Sequence, residues 1–135
     1  MIGEFQSNPE IFSLKGKNAL GTSFFVPFQN KIENSSAYSP LPYSSFDIVA
    51  TEDNTTVSIT PKQNIVGHSA NLTFNINLNR GQTYSARAAS QGAVQHPTGS
   101  TVSSNKPIAI TIKDDLLEGG TFFGGFCRDS QRNCQ

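Results

Sequence analysis

The carboxylates Asp47, Glu52, Asp53, Asp114, Asp115 and Glu118 fall at the ends of apolar runs or in the polar stretches between them. Acidic oxygens gathered from several strand ends could hold a calcium ion, which is bound by carboxylate and carbonyl oxygens. No D-x-[DN]-x-[DN]-G loop supports such a site, and Asp and Asn favour turns for local hydrogen-bonding reasons of their own. Solvated turns are therefore the expectation, and no metal is assigned. A carboxylate pair could also serve glycoside hydrolysis if held across a cleft, but nothing in the spacing of Asp53 and Asp114 fixes their separation. Nucleophilic catalysis needs a base held against Ser or Cys. The only histidines, His68 and His96, lie in stretches expected to be loops, and the G-x-S-x-G elbow is absent. Cys127 and Cys134 have no histidine beside them, which is not a zinc spacing; bonded to each other they would close only a small loop. No catalytic residue and no cofactor is assigned. A hydrolase would require His68 or His96 to meet an acidic residue in a concave pocket.

The elements that would have to position such groups are strands. The 135 residues suffice for one domain with its own core. Ser, Thr and Asn are abundant, and their side chains compete with a helical backbone for its hydrogen bonds. Ten basic residues balance ten acidic ones without a Lys/Arg cluster, so there is no electrostatic footprint for nucleic acid or anionic lipid. No apolar run reaches membrane-spanning length, and "MIGEFQSNPE" lacks the basic and apolar regions of a signal peptide. The expectation is a cytosolic chain or an excised piece of a longer exported one. The sequons at Asn34, Asn54 and Asn71 matter only in a eukaryotic secretory setting.

Short period-2 runs recur between turn signals, and no sustained helical period appears. Strands are predicted near Glu10 to Leu14, Thr22 to Gln29, Phe46 to Thr51, Thr55 to Thr60, Leu72 to Leu78, Thr83 to Ala88, Thr101 to Ser103, Pro107 to Lys113 and Thr121 to Gly124. Gly-, Pro-, Ser- or Asn-rich loops at Asn30 to Ser45, Pro61 to Asn71 and Ser90 to Ser100 separate them. This spacing argues for an antiparallel β-sandwich, jelly-roll or Ig-like, with little or no helix.

"SFDIVATEDNTTVSITP" reads as a hairpin turning at Glu52 to Thr55, with Ala50 facing Val57, Ile48 facing Ile59, and Phe46 on the same buried face. "NLTFNINLNRGQTYSARAA" reads as a second hairpin around Arg80-Gly81-Gln82, which sets Tyr84, Ala86 and Ala88 against Leu78, Ile76 and Phe74. Gly81 supplies the positive φ that this loop needs. Pro27 places its strand at an edge or a bulge, and Ile108, Ile110 and Ile112 share one face. Phe24, Phe25, Phe28, Phe46 and Phe74 are expected in strands and mostly in the core. Tyr38 and Tyr43 lie in the Pro/Ser-rich loop and are the candidate ligand-binding residues, because a loop tyrosine can stack on a sugar or anchor a protein contact. Phe122, Phe123 and Phe126, near the C-terminus, could be left exposed if a covering strand is missing.

"GTSFFVPFQN", "YSSFDIVATEDNTTVSITP", "LNRGQTYSARAAS" and "VSSNKPIAITIKDD", in that order, resemble the N-terminal domain family of IgG Fc-binding proteins, over about Lys17 to Cys127. The resemblance implies a β-sandwich-like module of large secreted or cell-surface proteins, found beside mucin-associated proteins in animals and in surface proteins of Bacteroides-like bacteria. It brings no catalytic residues. After Cys127 the chain departs from the pattern, so residues 1–127 are expected to form one domain and residues 128–135 a disordered tail of a truncated member. The expected function is a non-enzymatic recognition or adhesion module, extracellular or on the cell surface, for a host glycoprotein, mucin or immunoglobulin, alongside neighbouring domains of a longer chain. Direct membrane insertion is not expected. The alternatives are a structural spacer without a ligand and, less favoured, the hydrolase.

Overall fold

The apolar faces read from the alternation are the faces that the fold buries, but the strands carrying them are joined differently. The computed structural model describes residues 16–115 and 117. Strands β1 (Gly21–Val26), β2 (Ser44–Ala50), β3 (Thr55–Thr60), β4 (Phe74–Leu78), β5 (Thr83–Arg87) and β6 (Ser100–Asp114) form one antiparallel sheet. Helical structure among the described residues is limited to 3-10 turns at Lys17–Ala19 and Ala93–Gln95. The fold is all-β, as expected. The expected strands and aromatics at 10–14 and 121–126, and the tail at 128–135, lie outside the described residues.

Neither expected hairpin forms. β2 and β3 both run antiparallel to β6, β2 along its C-terminal half (Ser44↔Asp114 to Ala50↔Ile108) and β3 along its N-terminal half (Val57↔Ser104 to Thr60↔Thr101). β5 lies on β2 (Ser45↔Arg87 to Val49↔Thr83), and β4 lies on β3 (Thr55↔Leu78 to Ile59↔Phe74). The stretches 44–60 and 74–87 are thus two bent strands lying side by side, and β6 is a third. The pair of strands expected at Thr101 to Ser103 and Pro107 to Lys113 is this one continuous strand. β1 borders β6 with a register shift between Gly21 and Ser23. It ends at Val26, before Pro27, and pairs with no other strand among the described residues, which fits the edge or bulge expected there.

All three long strands change direction at one level, and side chains there replace the ladder. Gly81 N–H and Gln82 C=O both bond Ala50, at 2.9 and 3.1 Å, and Gln82 N–H reaches Asn79 O at 2.9 Å. With Gly81 at φ 80°, this is a glycine bulge of the kind that bends a strand and increases its twist. On the neighbouring strand Asn54 takes φ 55°. Asn54 N–H donates to Asn79 Oδ1 (3.1 Å), Arg80 N–H to Asp53 Oδ1 (3.0 Å) and Thr55 Oγ1 to Glu52 O (2.7 Å). On β6, Asn105 Oδ1 accepts from Thr56 N–H (2.8 Å), and the Pro107 carbonyl accepts from Thr51 Oγ1 (2.5 Å). The acidic break is therefore a corner of the sheet, held by Asp, Asn and Thr because these short side chains can stand in for backbone partners.

A hairpin and a corner both keep Phe46, Ile48, Ala50, Val57 and Ile59 on one face, which is why alternation alone does not separate them. The corner lets the two halves of the sheet close over each other. Phe46, Ile48, Ile108 and Ile110 from one half share a core with Val57, Ile59, Leu78 and Val102 from the other, and Phe24, Phe74, Ile76 and Tyr84 pack against it. Each fully buried Ile or Phe contributes roughly 1.5–3 kcal/mol, so closure is driven by that shared face.

Gly81 meets no atom that an added Cβ would strike, so its substitution isolates the conformational cost. Gly81→Ala is expected to destabilise the domain by about 1 kcal/mol in urea denaturation, while Gly16→Ala, at an equally open position without positive φ, leaves the midpoint near wild type. Burial pushes the Tyr84 phenol above its ordinary value. As pH rises past about 10 the unfolded chain loses that proton before the folded one does, so stability falls with alkaline pH. Tyr84→Phe should remove this component, measured as a flatter dependence of the denaturation midpoint on pH across that range.

Candidate functional site

Closing the sheet brings the three Gly-, Pro- and Asn-rich loops to the end opposite the corner. Asn34 N–H bonds Gln91 O (3.0 Å), and the Gln91 side-chain amide donates to the carbonyls of Ser35 (2.9 Å) and Pro42 (3.1 Å). Val66 N–H bonds Arg87 O (2.9 Å), Ala89 N–H bonds Asn64 O (3.0 Å), and Phe28 N–H bonds Thr98 Oγ1 (3.2 Å). Loops that as free segments would be mobile are stitched to one another by backbone and amide groups.

Beneath them lies a polar cluster centred on Asp114, the last residue of β6. Its carboxylate accepts from Ser44 Oγ, from Gln29 Nε2 (3.1 Å) and from Asn34 Nδ2 (3.5 Å), and His96 Nδ1 stands 3.7 Å away. Asn34 Nδ2 also reaches Asp115 O at 2.5 Å. Asn34, Ser44 and His96 are buried. A straight strand of 15 residues would extend about 50 Å, yet His96, just before β6, lies against Asp114 at its far end. The cluster therefore ties together the two ends of the bent strand.

The geometry assigns the imidazole tautomer. Both hydrogens of Gln29 Nε2 are taken, by Ile32 O (2.7 Å) and Asp114 Oδ2 (3.1 Å), so its 3.1 Å approach to His96 Nδ1 is a contact without a shared proton. The Gln29 carbonyl, 2.9 Å from Nδ1, can only accept. Nδ1 therefore carries the proton and donates it, while Nε2 is buried without a partner among the described residues.

His96 thus meets an acidic residue, as the hydrolase reading requires, but not as a catalytic triad. A triad needs the imidazole between acid and nucleophile, whereas Ser44 Oγ bonds the carboxylate directly and both Ser44 and His96 are fully buried. His68 is elsewhere, stacked on Phe74 with ring centroids 3.4 Å apart and planes within 4°. The acidic candidates are dispersed: Asp53 lies at the corner, Asp114 at the opposite end, and Asp47 pairs with Lys113 at 2.6 Å. Among the described residues no three His, Cys, Asp or Glu side chains come together as metal ligands. Glu118, Cys127 and Cys134 lie outside the described residues.

Tyr38 is half exposed in its loop. Tyr43, at the threshold of β2, carries the Arg87 guanidinium 4.5 Å from its ring centroid, a cation–π contact worth about 0.5–1 kcal/mol at an exposed position. Leu41, Val66 and Val94 add exposed apolar side chains on the three loops. Gln29, Asn34, Ser44 and Gln91 carried no signal of this cluster in the sequence, because polar residues in loops or at strand ends have no apolar period from which burial could be read. Arg87 is exposed between buried Ala86 and Ala88.

Residues 12–116 match the family model described as IgGFc binding protein. No curated protein and no solved structure matches the chain.

Removing the Asp114 carboxylate leaves Ser44 Oγ only the longer bond to Asn34 Oδ1 (3.3 Å) and takes one acceptor from each of the Asn34 and Gln29 amides, so Asp114→Ala is expected to cost about 1–3 kcal/mol. Asp114→Asn retains one acceptor oxygen and should cost less. Equal losses for the two variants in urea denaturation would show that the carboxylate is not the hub of the cluster.

Proposed function

The chain belongs to the IgGFc binding protein family, and we propose that it is a non-enzymatic recognition or adhesion module of a larger secreted or cell-surface protein. The observation that carries this reading is the convergence of three stitched loops at one end of a closed sheet, presenting Tyr38, Tyr43 with Arg87, Leu41, Val66 and Val94. Rigid strands that position exposed loops are a common way to build a binding surface. The ionisable groups closest to a catalytic arrangement are instead held in the cluster that ties this end shut. A binding-family domain of this kind fits a bacterial surface protein, Bacteroides-like in type, whose partner is a host glycoprotein, mucin or immunoglobulin. Among the described residues no helix is long and apolar enough to cross a membrane.

The test is binding of the folded chain to immunoglobulin Fc and to intestinal mucin, by surface plasmon resonance. Saturable binding that weakens about tenfold or more in the Tyr38→Ala/Tyr43→Ala double variant would locate the surface at these loops. A cooperatively folded chain that binds neither would make the spacer the better reading.

A further inference from the structure

Among the described residues the outer edge of β5 carries no strand from Thr83 up to the Arg87 carbonyl, which Val66 N–H takes. β5 pairs with β2 and with no second strand among the described residues. Ala88 N–H donates to Ser44 O (2.9 Å), and Ala50 N–H to Gln82 O (3.1 Å). Given the register of the pair, the alternation of an antiparallel ladder puts the bonds to β2 on Tyr84 and Ala86. Thr83, Ser85 and Arg87 therefore turn their N–H and C=O groups outward. The chain itself shows how this edge is used. Val66 N–H takes the Arg87 carbonyl (2.9 Å), Ala89 N–H takes Asn64 O (3.0 Å), and Ile65 bridges Ala88, so a short piece of loop is already added to the strand where β5 ends.

The usual devices that blunt an edge are missing. Thr83 to Arg87 contain no proline, no lysine and no inward charge. From Leu72 to Ala89 the chain carries Arg80 and Arg87 and no Asp or Glu. The nearest acid on the outer face, Asp47 opposite Ser85, is paired with Lys113 at 2.6 Å. Arg87 is held over Tyr43 and makes no ion pair among the described residues. This is a fixed guanidinium beside outward-facing backbone donors and acceptors.

We propose that the β5 edge binds an extended, acidic segment of a partner protein as an added strand, with Thr83 and Ser85 supplying backbone bonds and Arg87 pairing a carboxylate. The proposal rests on the recognition reading, whose surface it extends from Tyr43 along β5. A second copy pairing through its own β5 would bring the same arginine and no carboxylate on the paired strand, so it lacks the charge complement there.

The experiment titrates the isotope-labelled chain with a short acetylated peptide alternating Glu and Val, and with its Lys-for-Glu counterpart, following amide shifts and exchange by NMR. The acidic peptide should produce saturable shifts and slowed exchange at Thr83, Ser85 and Arg87. Arg87→Glu should weaken this about tenfold. Ser85→Pro, which removes an outward N–H that no neighbouring strand uses, should abolish it while thermal melting stays cooperative. Equal binding of the basic peptide, or no response on β5, would overturn the proposal, as would concentration-dependent pairing of two chains through this edge. Fc or mucin binding that persists in both variants but is lost on replacing Tyr38 and Tyr43 would overturn the edge alone. Absence of binding to the acidic peptide, Fc and mucin would remove the recognition reading with it.

Discussion

Everything in this fold depends on three neighbouring strands bending together. A sheet can close over itself only if its strands turn at the same level, because a single straight strand would hold its neighbours flat through the ladder. Here the bend is made once on each strand, at Glu52–Asn54, at Asn79–Gln82 and at Asn105–Pro107, and the three sites brace one another. Asp53 holds the Arg80 amide, Asn79 holds the Asn54 amide, and Asn105 holds the Thr56 amide. The interruption of backbone pairing that a corner requires is thus offset by side-chain bonds of ordinary strength. Positive φ at Asn54 and Gly81 falls on the two residue types that adopt it at least cost. Lys106 Nζ, 2.5 Å from Asp53 O, adds a cation where the acidic residues gather.

A bend gives direction but not closure, and at the other end a different chemistry completes the fold. Apolar packing between the two halves of the sheet is non-directional, and facing layers of Ile and Val tolerate small slips. The Asp114 cluster does not, because the carboxylate at the end of β6 has its acceptor sites matched to Gln29 and Asn34 of the β1–β2 connection and to Ser44 at the start of β2. A slip of either half would leave buried polar groups unpaired, which costs more than the same bonds contribute when made. The Nε2 of His96, without a partner among the described residues, shows the limit of that satisfaction. The ring is committed through Nδ1 to the Gln29 carbonyl, so its far nitrogen goes unserved.

The distribution of what was legible follows from these two devices. Period 2 is a property of one strand, so Phe46, Ile48, Ala50, Val57, Ile59, Ala86 and Ile108 could be assigned to the buried face from their spacing alone. Pairing is a property of two strands, and a four-residue break after Ala50 is compatible with a hairpin or with a corner. Gly81 was rightly given a positive φ, but the same glycine that closes a hairpin loop also makes a bulge. The decisive partners, Asn79 with Asn54 and Asn105 with Thr56, are long-range and carry no mark in a chain this rich in Asn. His96 and Asp114 were each visible as candidates for chemistry. That they meet, and meet as a tie rather than as a catalytic pair, depends on the folding back of β6, which no local pattern encodes.

The two ends of the molecule are therefore specialised by construction. The corner end spends its polar side chains on replacing lost ladder bonds, and few are left to meet a partner. At the loop end the polar groups are drawn inward to Asp114 and Gln91, which fixes the loop backbones and leaves tyrosine, leucine and valine side chains outside. An interface gains most from groups that are already immobile before binding, since their ordering cost has been met in folding. Tyr43 and Arg87 fit that description: the ring is half-buried at the start of β2, the guanidinium lies over it, and both sit where loop surface and strand edge meet. A buried clasp beneath exposed loops is the arrangement from which the proposed recognition at this end would draw its fixed geometry.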